Sequence, residues 1–125
     1  MRSLSRGTPA VRVLFGAAVI LQLLALYLPQ APSPGGVSVP GADKAVHVLV
    51  FALVMLTGVL TGLPARWLAL ILAAHALLSE AIQHLWLPDR SGDLLDAVAD
   101  VAGILLGWYV ATVITRHRLT RSPEG

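Results

Sequence analysis

Four apolar blocks run along this chain, separated by short segments that contain proline, glycine or charged residues. The blocks cover about residues 11–28, 44–62, 66–87 and 93–115. Each is close to the roughly 20 residues that an α-helix needs to cross a bilayer. Proline stops a helix because it lacks the backbone N–H, and Pro29, Pro64 and Pro88 lie between the blocks. The pattern therefore predicts an all-α bundle of four membrane-spanning helices in a single domain, residues 11–115.

The first block also has features of a signal peptide, because a basic start precedes its apolar run. No clear small-x-small cleavage site follows it, however, and it nearly reaches spanning length. The sequence therefore favours a retained first helix, preceded by a short flank at residues 1–10.

Composition indicates that lipid is the solvent of this chain. Of its 125 residues, 56% are hydrophobic and only 13% are charged, and the mean hydropathy is +0.75. A pI near 9.7 would suggest a nucleic-acid partner for a soluble protein, but here the arginines flank apolar blocks, where they orient membrane proteins. We therefore expect the lipid bilayer, and no nucleic acid, as a partner. The absence of cysteine excludes disulfides, thiolate metal sites and a cysteine nucleophile.

The distribution of Lys and Arg predicts the orientation of the four helices. Only Lys44 and Arg90 would lie on one side of the membrane. Cytoplasmic segments carry the excess of basic residues, so the N-terminus and the tail at residues 116–125 are predicted to be cytoplasmic. The seven basic residues on that side are Arg2, Arg6, Arg12, Arg66, Arg116, Arg118 and Arg121.

The acidic residues show the opposite bias and gather at the predicted outer side. Six of the seven lie there: Asp43, Glu80, Asp89, Asp93, Asp96 and Asp100. Ionised carboxylates in or near hydrocarbon are costly, so they are candidates for a functional role by default. The sequence thus predicts a polar site that opens outward.

The second and third helices each contribute a polar face to this site. Asp43 and His47 are i,i+4 neighbours on the second helix, where the carboxylate can accept a hydrogen bond from the imidazole. Glu80 and Gln83 share the polar half of the third helix, opposite a leucine-rich half that would face lipid.

The fourth helix combines carboxylates with a packing motif. Asp93, Asp96 and Asp100 share one arc of the helix with Gly103 and Gly107. These glycines form a small-xxx-small pair that lets a neighbouring backbone approach closely.

Glu80 and Asp100 are predicted to lie at similar depth in the membrane. Each is seven residues, or roughly 10 Å, from the outer end of its helix. The loop between the two helices is short, which favours antiparallel neighbours.

Together these residues resemble the VanZ-like family of bacterial membrane proteins, named for a teicoplanin-resistance factor. The resemblance covers roughly residues 43–110. At Asp100 the family usually has asparagine, so this chain places an ionisable group beside Glu80. The matching positions are Asp43-Lys44-xx-His47-xxx-Phe51, Ser79-Glu80-xx-Gln83, Pro88-x-Arg90 and Asp93-xx-Asp96-xxx-Asp100-xx-Gly103-xxx-Gly107.

The resemblance implies a multi-pass protein of the bacterial cell membrane that engages an anionic amphiphile from the outer leaflet. A lipid-linked cell-wall precursor, a lipid headgroup or a lipoglycopeptide such as teicoplanin would fit. In this hypothesis, Glu80, His47 and Asp96 are the candidate catalytic or proton-transfer residues. The candidate substrate-binding residues are Asp43, Lys44, Gln83, Arg90, Asp93 and Asp100.

Three functional classes stay open at this point. An enzyme would use Glu80 or His47 as general acid or base on a headgroup bond. A binding protein would only occupy its ligand, and a proton-coupled transporter would need a polar path to the cytoplasm. Several of the residues also have structural explanations, since Asp43 could cap a helix and Gln83 could make an interhelical hydrogen bond.

No cofactor is predicted. Histidine with carboxylates suits zinc or manganese, but no HExxH-like pair fixes the ligand geometry on one helix. The residues that could contribute to such a site are Asp43, His47, Glu80, His84 and Asp96.

Overall fold

The computed structural model describes residues 7–28, 41–86 and 94–121. They form four helices and no strand: α1 (Pro9–Tyr27), α2 (Ala42–Leu60), α3 (Ala65–Trp86) and α4 (Leu94–Arg121). Each helix is long and apolar enough to cross a membrane. The predicted all-α four-helix bundle is therefore confirmed. Two of the predicted site residues, Arg90 and Asp93, lie outside the described residues.

Local sequence explains where the first two helices begin. The Thr8 side chain caps α1 by accepting a hydrogen bond from the backbone N–H of Val11 (3.4 Å). Pro9 lies in the first turn of α1. Backbone N–H groups of a first turn make no hydrogen bond within the helix, so the N–H that proline lacks is not needed there. α2 begins after Gly41, whose φ of 82° lies in the left-handed region that glycine adopts without strain.

The last helix is longer than the sequence pattern predicted. The apolar block ends near Thr115, but α4 continues to Arg121. No proline or glycine interrupts residues 115–121, and Arg118 and Arg121 lie in the last turn. Cations there interact favourably with the negative end of the helix dipole, so the helix extends beyond its apolar part.

Contacts at the two ends of the bundle fix the directions of the helices. The backbone N–H of Gly7, just before α1, donates to the carbonyl oxygen of Thr61, just after α2 (3.2 Å). Lys44 and Asp96 pair near the starts of α2 and α4. α1 and α2 are therefore antiparallel, whereas α2 and α4 are parallel and form the most extensive helix pair. We call the end where α2 and α4 begin the acidic end.

Two glycines bring the backbones of α2 and α4 close together. A Cβ atom on Gly103 would overlap the carbonyl oxygen of Val48, and one on Gly107 would overlap that of Ala52. These are the glycines that the sequence pattern assigned to helix packing. Because they lie one and two turns below Asp100, their close approach holds the polar part of α4 against α2.

The outer surface of the bundle is apolar, as lipid requires. Leu77, Leu78 and Leu85 of α3 are more than half exposed, and they belong to the half of α3 that the sequence assigned to lipid. The interior instead contains Phe51 and Met55, which are fully buried. Polar side chains of α2, α3 and α4 are buried there as well, among them His47, Gln83 and Asp100.

Candidate functional site

The acidic end contains a cluster of ionisable side chains that continues from the surface into the interior. The Asp43 and Lys44 side chains are 45% and 34% exposed. The side chain of Asp96, in the first turn of α4, is only 5% exposed, that of His47, one turn beyond Asp43, is 3% exposed, and Asp100 is fully buried. Together with Glu80 of α3, these residues are called the polar site below.

Lys44 links the two acidic residues at the mouth of the polar site. Its Nζ pairs closely with Oδ1 of Asp96 on α4 and lies 3.5 Å from Oδ2 of Asp43. The ammonium therefore neutralises part of the charge of both carboxylates. The sequence placed Lys44 among the substrate-binding residues, and the structure gives it this ion pair between α2 and α4.

His47 lies at the centre of the polar site and faces carboxylates on both sides. Its Nδ1 is 2.6 Å from Oδ1 of Asp100, and its Nε2 is 3.8 Å from Oδ1 of Asp43. The hydrogen bond between His47 Nδ1 and Asp100 Oδ1 fixes the orientation of the imidazole ring. The buried imidazole therefore lies between a carboxylate of α4 and a carboxylate of its own helix, α2.

Glu80 of α3 lies beside His47 and Asp100 in the polar site. Ligand atoms of His47, Glu80 and Asp100 all lie within 4.8 Å of one another, and both carboxylate oxygens of Glu80 are buried. Glu80 and Asp100 thus meet inside the bundle, at the similar depth that their positions in sequence predicted. Oδ2 of Asp100 is also buried, and it accepts no hydrogen bond from any residue that the structure describes.

Negative charge is in excess in the described part of the polar site. Two overlapping groups share His47: Asp43 with Asp96, and Glu80 with Asp100. Against these four carboxylates stand one ammonium, that of Lys44, and one imidazole. Carboxylates accept hydrogen bonds and, like imidazoles, bind cations, so this group of side chains could hold a cation, a proton or a group that donates hydrogen bonds.

Gln83 has a structural partner. Its Nε2 donates to the carbonyl oxygen of Leu26 (2.7 Å), and the amide is 1% exposed. Leu26 lies in the last turn of α1, where carbonyl groups have no partner within the helix. This contact is the interhelical hydrogen bond that the sequence offered as an alternative to substrate binding.

Two polar side chains of α1 that face the bundle interior were not assigned to a site from the sequence. The Tyr27 hydroxyl lies 2.9 Å from Nε2 of His75, and Gln22 is 2% exposed with an Nε2 that has no partner among the described residues. Both lie on a helix whose polar residues are isolated within an apolar run. Such a run gives no periodic signal that would identify its inward face.

Other sequence candidates lie apart from the polar site. His84 is exposed near the end of α3 and belongs to neither of the two groups. The hydroxyl of Ser79 donates to the carbonyl oxygen of Ala76 (3.0 Å), within its own helix. The roles predicted for Arg90 and Asp93 concern positions outside the described part of the chain.

No family model, no curated protein and no solved structure matches this chain.

Proposed function

We propose that this protein binds the polar headgroup of an amphiphile in the polar site, as a VanZ-like protein of the bacterial cell membrane. The observation that carries the proposal is the continuous polar path from exposed Asp43 and Lys44 to fully buried Asp100. Intramembrane charges that face a bundle interior are typical of ligand or ion sites. A headgroup could therefore enter from the acidic end without leaving the membrane surface.

The charges of the polar site define the chemistry of the headgroup. The Lys44 ammonium would attract a phosphate or carboxylate, and Arg90 would supply a second cation with a fork suited to such groups. The more numerous carboxylates would accept hydrogen bonds from hydroxyl or amino groups. The best ligand thus combines an anionic group with sugar hydroxyls or amines, as lipid-linked cell-wall precursors and lipoglycopeptides do.

An apolar groove between α3 and α4 would suit the hydrocarbon part of such a ligand. It has a volume of about 360 Å³ and is lined by Leu70, Ala73, Val101, Ile104, Leu105 and Trp108, among others. Val101 lies five residues along α4 from Asp96, a distance of about 8 Å along the helix axis. One molecule could therefore place its headgroup in the polar site and its chain in this groove.

A binding experiment in lipid nanodiscs tests the proposal. The protein is titrated with a polyprenyl-pyrophosphate-linked saccharide, with teicoplanin, and with phosphatidylglycerol as a plain anionic lipid. We expect saturable binding of at least one of the first two ligands and tenfold or greater weakening by Lys44→Gln and Glu80→Gln. Arg12→Gln removes an exposed cation near the start of α1, at the other end of the bundle, and should leave affinity unchanged.

Two results of this titration would contradict the proposal. One is equal affinity of the wild type, Lys44→Gln and Glu80→Gln for every ligand. The other is a response to phosphatidylglycerol alone, because a simple charged surface would explain that. Teicoplanin susceptibility of a host lacking the gene, with the same variants at equal expression, tests whether binding protects the cell.

The hydrogen bond between His47 and Asp100 favours catalysis as the second candidate function. A carboxylate that orients an imidazole is a recurrent arrangement for a general base, and Glu80 is close enough to serve as the acid. Turnover of the lipid-linked substrate by purified protein, abolished in Glu80→Gln and His47→Ala, would establish an enzyme. Binding without any product would leave the headgroup-binding function alone.

A further inference from the structure

We propose that His47, Glu80 and Asp100 form a binding site for one divalent transition-metal ion, with zinc and manganese as the best fits. This inference does not depend on the identity of the amphiphile. It concerns the deeper of the two groups that share His47, where α2, α3 and α4 meet.

The three side chains have the spacing that a metal site needs after a small adjustment. Their ligand atoms lie within 4.8 Å of one another, whereas ligands on one zinc ion are about 3–3.5 Å apart, given metal–ligand distances near 2.1 Å. A closing movement of about 1 Å would therefore bring them onto a shared ion. The contact between His47 Nδ1 and Asp100 Oδ1, now 2.6 Å, would open slightly to admit it.

Asp100 provides an independent indication of a ligand. The residue is fully buried, and its Oδ2 has no hydrogen-bond partner among the described residues. A buried carboxylate oxygen without a partner is costly, and coordination of the ion by both oxygens of Asp100 would remove that cost.

Asp43 would not bind the metal ion itself but would orient the imidazole of His47. Metal-bound histidines usually donate the other ring N–H to a carboxylate, which fixes the tautomer. With Nδ1 on the metal, Nε2 of His47 would face Oδ1 of Asp43, now 3.8 Å away. The polar site thus holds both a ligand set and an orienting carboxylate for the same ring.

The shallower group, Asp43 with His47 and Asp96, is a weaker candidate for the metal. Lys44 already places its ammonium against Asp96 and near Asp43. A second cation there would be repelled by the ammonium. The positive charge of Lys44 therefore directs a metal ion to the deeper group.

The ligand types select the metal. One imidazole and two carboxylates suit Zn²⁺ or Mn²⁺ better than Mg²⁺ or Ca²⁺, which prefer oxygen alone. Three protein ligands leave at least one coordination position open. A phosphate oxygen or a water molecule could occupy it, which would let an acidic site accept an anionic headgroup.

Titration of the purified, chelator-treated chain in detergent with Zn²⁺ and with Mn²⁺ tests the proposal, with no amphiphile added. We expect one ion bound per chain and at least tenfold weaker binding in Glu80→Gln and in Asp100→Asn. Far-ultraviolet circular dichroism checks that these near-isosteric variants keep their helices. His84→Ala, which removes an exposed histidine outside the site, controls for adventitious binding and should bind like the wild type.

Thermal unfolding provides a second measurement. The ion should raise the Tm of the wild type and of Asp43→Asn, and should raise it much less in Glu80→Gln. The proposal is overturned if neither ion binds, or if binding survives Glu80→Gln and Asp100→Asn unchanged. Loss of binding in Asp43→Asn with retention in Glu80→Gln would also overturn it, since the ion would then occupy the shallower group.

Discussion

At the scale of single residues, Lys44 and Asp96 form an ion pair at the mouth of the polar site. Lys44 keeps part of its side chain exposed, whereas Asp96 is almost completely buried. A salt bridge on the surface contributes little to the free energy of unfolding, whereas breaking a buried one is strongly destabilising. The Lys44–Asp96 pair is intermediate between these two cases.

Lys44→Met should therefore destabilise the protein by about 1–3 kcal/mol. The cost arises because the almost completely buried Asp96 carboxylate would lose its contact with the Lys44 ammonium. Reversible unfolding in mixed micelles measures the change. In a double-mutant cycle, adding Asp96→Leu should recover most of the loss, and additive effects of the two substitutions would argue against the pair.

Gln83 provides a test that separates packing from ligand binding. Gln83→Leu removes the hydrogen bond to the Leu26 carbonyl, and such interhelical bonds contribute about 0.6–2 kcal/mol in membranes. We expect that loss of stability with ligand affinity nearly unchanged. The matched control is His84→Ala, one residue along α3 on an exposed position, and a larger effect in the control would refute the assignment.

At the scale of helices, the parallel contact between α2 and α4 determines the geometry of the polar site. It joins the carboxylates of one helix to the ammonium and imidazole of the other. Gly103 and Gly107 make this contact close, because a Cβ atom at either position would meet backbone of α2. The site and its packing support are therefore parts of the same interface.

Gly103→Ala should separate α2 from α4 and cost about 1–3 kcal/mol of stability through overpacking. It should also weaken ligand or metal binding, because Asp100 would move away from His47. Gly16→Ala is the control, since a Cβ there meets nothing within 4 Å. It should change stability by less than about 1 kcal/mol, in the stabilising direction. Equal effects of the two substitutions would contradict the role of close packing.

At the scale of the whole molecule, the sequence predicted the four helices and much of the polar site. Hydrophobic block length identified the helices, and i,i+4 spacing identified the faces that carry His47 and Asp100. The sequence did not identify the ion-pair partner of Lys44, which is Asp96 on α4. Partner choice depends on how the helices rotate against one another, and close packing at Gly103 and Gly107 sets that rotation.

The orientation of the bundle in the membrane stays a prediction from the Lys and Arg distribution. The cysteine-free sequence suits single-cysteine labelling. In intact cells, a membrane-impermeant thiol reagent should label Asp43→Cys at the acidic end and should not label Thr120→Cys at the other end. Reversed labelling would place the polar site on the cytoplasmic face and would exclude an outer-leaflet ligand.

The convergence of α2, α3 and α4 at His47 is the central claim, and paired-cysteine cross-linking tests it most directly. A short bifunctional thiol reagent should join His47→Cys to Asp100→Cys and, separately, to Glu80→Cys. Matched pairs of His47→Cys with Val98→Cys or with Leu77→Cys place the second thiol on an exposed face and should not react. Cross-links in the first two pairs alone would support the account. Equal cross-linking in all four pairs, or cross-links only to the exposed positions, would contradict it.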